Sequence, residues 1–176
     1  MTDPGQAGRP LLLLDVDGVL SPFQGSAFEM RRVNPEGFER VELPDEYRER
    51  YIWLSRTNAA RLRRLGEVFE IVWATGWGDH ANAVIGPFHE LEHLQVIKLD
   101  FTGDVTWKLS SVRAYVGDDR PCVWIDDDLG EDAERWARER RAPTLLVRCE
   151  PHVGLTEDMV ERCLEFAAEH GAPAAR

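Results

Sequence analysis

Asp15 and Asp17 stand two residues apart in Asp15-Val16-Asp17-Gly18-Val19-Leu20, directly after an apolar run. On an extended chain the two carboxylates share one face, and Gly18 lets the backbone curl away behind them. Thr75-Gly76-Trp77 closes a second apolar run with a hydroxyl and backbone N–H groups at a helix start. Lys108 falls in the first turn of a later helix, and Asp126-Asp127-Asp128 closes another apolar run. Carboxylates gathered that closely raise one another's pKa unless a cation sits among them. A hard divalent ion meets that need, and Mg²⁺ suits a few carboxylates together with waters and a phosphate. Thr75, the N–H groups near Gly76 and the Lys108 ammonium supply the donors and positive charge that a phosphoryl group requires.

The elements that must hold these residues follow from the hydropathy pattern. Leu11–Leu14, Val68–Ala74, Gln95–Leu99, Cys122–Ile125 and Thr144–Val147 are short apolar runs bounded by turn signals, as strands buried on both faces are. Between them lie helical stretches. The first starts at Thr57 or Asn58 and ends at Gly66, and a short one near His80–Ile85 stops at Gly86-Pro87. Others begin at a Thr106 cap and at Glu131, and a last one is capped by Thr156, with Glu157 and Asp158 in its first turn. Strands alternating with helices predict an α/β fold, a parallel sheet with helices on both faces. Ligands of such sheets bind beyond the carboxyl ends of the strands, where the residues above stand.

Length and charge narrow the function classes. A chain of 176 residues is one domain of ordinary soluble composition, and no stretch approaches the length of a membrane helix. Leu11–Leu14, the longest apolar run near the start, is too short for a signal peptide's apolar core, and a cytoplasmic location is the expectation. Cys122, Cys149 and Cys163 lack metal-type spacing and read as core thiols without a disulfide. A net charge of −11 disfavours general nucleic-acid coating and leaves room only for local contact with a strand end. Lys98 and Lys108 are the only lysines; all other basic residues are arginine, so a point-charge role for a lysine stands out.

The order D-x-D-G-V-L, then Thr after a strand, Lys at a helix start and acids after a further strand resembles the haloacid dehalogenase (HAD) superfamily. The resemblance spans about Leu11 to Ala168 and implies a three-layer Rossmann-like core. It further implies that Asp15 is a nucleophile forming an aspartyl-phosphate and that Asp17 is the general acid and base. Thr75, Gly76 and Lys108 would bind phosphate. Asp15, Asp17 through its carbonyl, Asp126 and Asp127 would hold Mg²⁺, with the division of labour among Asp126, Asp127 and Asp128 left open. The second acid, Asp17, favours phosphoryl over carbon–halogen chemistry. The implied activity is a Mg²⁺-dependent phosphatase acting on a phosphorylated, macromolecular substrate such as a nucleic-acid end. The rival is a non-catalytic domain that binds a phosphorylated ligand or protein. A receiver domain also joins acids, Thr and Lys, but its phosphorylated Asp ends a middle strand.

Residues 1–10 and 171–176 read as terminal tails around a single domain at 11–170. An excursion at about 21–55, from Ser21 to Tyr51 in its irregular part, is long enough for a flap or hairpin and short for a separate cap. Arg31, Arg32, Arg48, Arg50 and Arg56 in and beside it are interleaved with acids and read as a mixed solvated surface. Trp77 and Trp107 read as wall residues, with stacking on a substrate ring as the second role. Asp128 reads as helix N-terminal charge. His89-Glu90-Leu91-Glu92-His93 fits the zinc pattern H-E-x-x-H, but Gly86-Pro87 upstream makes it a polar surface turn instead.

Overall fold

The computed structural model describes residues 8–23, 37–45, 47, 50–101 and 103–171. Arg31, Arg32, Arg48 and most acids among them lie outside the described residues, as do positions 1–7 and 172–176 of the expected tails. Arg9 and Pro10, by contrast, are tied down: Arg9 Nη1 donates to the Gly66 carbonyl at 3.0 Å, and the Pro10 carbonyl accepts from Glu70 N.

In chain order the strands of the main sheet are β1 (Leu11–Leu14), β4 (Glu70–Trp73), β5 (Gln95–Val96), β6 (Cys122–Asp126) and β7 (Thr144–Arg148). They are all parallel in the order β5-β4-β1-β6-β7. β2 (Phe38–Glu42) and β3 (Tyr51–Ser55) form a separate antiparallel pair. The helices are α1 (Thr57–Val68), α2 (Gly86–Phe88), α3 (Leu109–Val116), α4 (Glu131–Glu139) and α5 (Glu157–His170).

Side-chain alternation on β1 divides the interior into two layers. Leu12 and Leu14 meet Leu62 and Leu65 of α1 and Val160, Cys163 and Phe166 of α5. Leu11 and Leu13 meet Leu109, Val112 and Val116 of α3 and Ala133 and Trp136 of α4. Helices therefore cover both faces of an α/β sheet whose central strand is β1. This is the expected three-layer arrangement, and among the described residues no second folded unit covers the carboxyl ends of its strands.

Several boundaries differ from the sequence reading. Gly66 lies inside α1, which runs on to Val68 because Leu65 and Phe69 are still being buried. Pro87 does not stop its helix. A π-helical turn at Ala81–Ile85 passes directly into α2, where proline sits at the N-terminal turn and needs no hydrogen-bond donor. Thr106 does not cap α3. Its hydroxyl donates to Asp132 Oδ1 at 2.7 Å and accepts from Gly130 N at 2.7 Å, pinning the loop before Lys108 to the start of α4. Thr156 does cap α5, accepting from Met159 N at 3.4 Å. All three cysteines are buried free thiols.

His89 is buried, not a surface residue. Its Nδ1 lies 3.0 Å from the Ile85 carbonyl oxygen, while His93 is exposed 3.6 Å from Asp79. α2 ends at Phe88, so the two histidines never share a helix face as a zinc site would require.

Candidate active site

Two neighbouring strands set the centre. β1 and β6 run in parallel register, Leu14 beside Ile125, so Asp15 and Asp126 leave the sheet side by side. Behind Asp15 the chain turns tightly. The Val16 carbonyl accepts from Val19, Leu20 and Ser21, and Gly18 N donates to the Ser21 carbonyl. Gly18 has φ of 71°, a conformation that costs any L side chain. A Cβ there would also stand 2.5 Å from the Asp127 carboxyl carbon. Glycine thus brings the first acidic loop and the last one together.

Lys108 lies between them. Its Nζ is 2.7 Å from Asp15 Oδ2 and 2.8 Å from Asp126 Oδ2, and all three side chains are at most 5% exposed. Asp126 is held on every side: Trp124 Nε1 donates to Oδ2 at 3.1 Å and Asp128 N to Oδ1 at 3.0 Å. Burial, with help from the Asp15 charge, pushes Asp126 up to about 7 against the pull of Lys108. Burial and Asp15 raise Asp127 as well. Burial works against the Lys108 ammonium, but Asp15 and Asp126 outweigh it and raise its pKa.

One carboxylate oxygen from each of Asp15, Asp126 and Asp127 falls within 4.8 Å of the others. Three convergent hard oxygen donors, two with pKa values raised by burial and secondarily by the Asp15 charge, fit a hard divalent cation. Asp17 contributes no side-chain oxygen to that cluster; its Oδ2 accepts instead from Trp77 Nε1 at 3.0 Å. The half-buried Asp17 lines the same crevice, of about 380 Å³, with Asp15, Gly76, Trp107, Lys108 and Asp127.

Thr75 is brought to the end of β4 but is buried, and its Oγ1 accepts from Trp77 N at 3.4 Å. Gly76, not Thr75, lines the crevice. Asp128 also lines it and is no part of a helix: α4 begins at Glu131 with Gly130 as its cap, so the expected helix-charge role does not hold. Trp107 stacks on the exposed Phe101 ring at 5.0 Å between centroids.

Sequence reasoning missed four contributions, two indole N–H donors and two rings. Trp77 and Trp124 act through their indole N–H groups on Asp17 and Asp126, a role no spacing rule marks. Tyr51 and Trp53 were readable in principle, because Tyr51-Ile-Trp-Leu-Ser55 alternates as a half-buried strand does, with Ile52 and Leu54 in the core.

Over residues 11–160 the chain matches the family described as the HAD domain in Swiss Army Knife RNA repair proteins. No curated protein matches it.

Proposed function

The chain belongs to the HAD domain family of Swiss Army Knife RNA repair proteins, and from that premise we propose that it is a Mg²⁺-dependent phosphohydrolase of phosphomonoesters. The observation that carries this reading is the Lys108 ammonium buried between Asp15 and Asp126, with Asp127 drawn in over Gly18. A buried cation amid convergent carboxylates suits a phosphoryl group whose charge must be neutralised during transfer.

Asp15, Asp126 and Asp127, with the Asp17 carbonyl, would hold Mg²⁺, which when bound supplies Lewis-acid neutralisation of phosphoryl oxygens. Lys108 and the backbone at Gly76 orient the phosphoryl group toward Asp15, while Thr75 holds the turn that presents Gly76. A carboxylate oxygen of Asp15 attacks phosphorus, the bond from phosphorus to the leaving oxygen breaks, and Asp17 gives that oxygen its proton. Water then attacks the aspartyl-phosphate, Asp17 takes a proton from it, and phosphate leaves with Asp15 restored. Trp77 holds the Asp17 carboxylate in place through its indole N–H.

The substrate in this reading is the phosphorylated end of a macromolecule, a nucleic-acid strand first. Among the described residues the crevice stands open beyond the carboxyl ends of β1 and β6, and small sugar phosphates would meet few enclosing walls there. A net charge of −11 limits the number of phosphates gripped, so the salt dependence is shallow.

A panel of phosphorylated metabolites and of 3′- and 5′-phosphorylated oligonucleotides, assayed with Mg²⁺ and with EDTA, tests the proposal. Expected are Mg²⁺-dependent release of phosphate, its loss in Asp15→Asn, and a fall of about 10²–10⁴-fold in Asp17→Asn. No turnover across the panel, with tight binding of a phosphorylated ligand, would mean a non-catalytic domain. Activity surviving in Asp15→Asn would remove the nucleophile.

A further inference from the structure

Beside the acid crevice lies a second cavity of about 570 Å³, walled by Phe23, Tyr51, Trp53 and Trp77, with Asp17 and Arg50 at its edges. The two cavities share Asp17 and Phe23, so one ligand can reach into both. We infer that this trough is a subsite for the nucleobase of the terminal nucleotide whose phosphate enters the crevice. The inference rests on the phosphohydrolase reading and adds to it the chemical class of the leaving group.

The walls carry the argument. β3 alternates: Ile52 and Leu54 enter the core, which leaves Tyr51 and Trp53 together on the other face. Their rings meet edge to face at 6.2 Å between centroids. Phe23, 50% exposed, and Tyr51, 44% exposed, are large aromatic surfaces turned to water at a cavity mouth. Stacking on such faces suits any base, because every base has a π-face, and it selects no sequence. The Trp77 indole N–H is already committed to Asp17, so its ring borders the trough while its edge holds the acid. A sugar phosphate would fill the crevice and leave the trough empty. In a nucleotide one sugar separates the phosphate from the ring, which matches a trough that starts at Asp17 and extends to β3. Arg50 is 84% exposed at the rim, 3.8 Å from Asp45, where it can meet the next phosphate of a strand. A phosphotyrosyl peptide is the competing aromatic substrate; its ring is bonded directly to the phosphate oxygen with no sugar between, and it forms one arm of the test.

The test compares short single-stranded oligoribonucleotides whose terminal phosphate sits on a base-bearing or an abasic residue, in 3′ and 5′ versions. For the full chain with Mg²⁺, kcat/KM is expected to be about tenfold or more higher on a base-bearing end, with little dependence on which base. Tyr51→Ala and Trp53→Ala should move that ratio toward one, and Trp53→Phe should keep most of it. Tyr51 is exposed enough that its loss leaves the fold intact, and melting curves check the Trp53 variants. The same pairs are titrated into the Asp15→Asn protein by tryptophan fluorescence. Equal kcat/KM on both ends, or a phosphotyrosyl peptide turned over better than any oligonucleotide, would overturn the subsite while leaving the phosphatase reading standing. Base-dependent binding to Asp15→Asn without turnover by the native protein would do the reverse: the subsite stands and the catalytic reading falls. Equal binding of both ends to Asp15→Asn would overturn the subsite whatever the turnover.

Discussion

The acid crevice and the aromatic trough share Asp17 and Phe23 but are held by different forces. Charge builds the crevice. Asp15, Lys108 and Asp126 come from three separate elements and are fixed by contacts of 2.7 and 2.8 Å in a setting nearly without solvent. Each carboxylate there raises the cost of its neighbour, and the lysine offsets it. Shape and alternation build the trough. Two of its rings, Tyr51 and Trp53, ride on a two-stranded hairpin whose other face is anchored by Ile52 and Leu54, and among the described residues no buried ion pair fixes that hairpin. Groups that must act at fixed distances sit in the stiff, charge-locked part. Groups that accommodate a leaving group sit in the part whose contacts tolerate small movements.

The strongest way to break this contrast is to remove the lysine. Lys108→Met leaves two buried carboxylates without their cation, a change that costs about 3–5 kcal/mol when a buried pair loses one partner. Asp126, already pushed up to about 7, relieves part of that by taking a proton. The sign follows: a carboxyl raised in the folded state keeps its proton there longer than in the unfolded chain, so stability falls as pH rises. Thermal melts of Lys108→Met should therefore show a larger deficit at pH 8 than at pH 6, with phosphatase turnover lost at both. Lys98→Met, at an exposed position, should change stability by less than about 0.5 kcal/mol. Equal effects from the two lysines would mean that charge does not organise the crevice.

Gly18→Ala acts on the same side by geometry. It forces an alanine to φ near 71° and drives its methyl group into Asp127. The backbone conformation alone costs about 1–2 kcal/mol. Displacing Asp127 should weaken Mg²⁺ dependence more than it weakens the fold. The check is a Mg²⁺ titration of activity beside a melt, and an unchanged half-saturating Mg²⁺ would separate Asp127 from the metal.

Much of this was legible before the fold was known, for a physical reason. Asp15, Lys108 and Asp126 stand at strand ends or helix starts, and a parallel sheet sends such positions to one edge whatever the details of packing. The failures have causes too. Gly66 and Pro87 are breakers by propensity, but burial of Leu65 and Phe69 and the N-terminal placement of the proline override it. Gly86-Pro87 just upstream points His89 to a surface turn, but the helix runs on past that break and the ring turns back to the Ile85 carbonyl. The strand at Tyr51–Ser55 was hidden by the charged stretch before it and the helix that begins two residues later. The indole donors of Trp77 and Trp124 depend on side-chain direction, which periodicity does not specify.

Trp77 belongs to both regions and so sharpens the comparison. Trp77→Phe keeps a ring at the trough wall and removes the N–H that reaches Asp17 at 3.0 Å. A hydrogen bond to a charged group contributes about 1.5–3 kcal/mol. A fall in kcat of about tenfold is expected, with KM nearly constant and the base-to-abasic ratio retained. If the ratio collapsed while kcat held, the residue would serve the trough alone.

The smallest effect concerns two buried thiols, of which Cys149 feels the charge of the crevice. Burial raises Cys149 to about 12, with the carboxylates of Asp126, Asp127 and Asp15 adding to it. Cys163 reaches about 12 by burial, slightly opposed by Arg162 and with no contribution from those acids. In the unfolded chain both ionise near 9. Between about 9 and 12 the folded protein therefore holds protons that the unfolded one has released, and stability declines as pH rises through that window. At pH 10 the loss is about 1 kcal/mol per thiol, read as a fall in melting temperature between pH 8 and pH 10. Cys163→Ala should flatten that slope in part, and added Mg²⁺ should leave its contribution alone. In the Cys163→Ala protein, where buried Cys149 and Cys122 are left to respond, Mg²⁺ should slightly flatten the Cys149 share of the remaining slope by neutralising the crevice acids. The same slope with and without Mg²⁺ would mean that burial alone protects Cys149 and that the crevice field does not reach beyond its own walls.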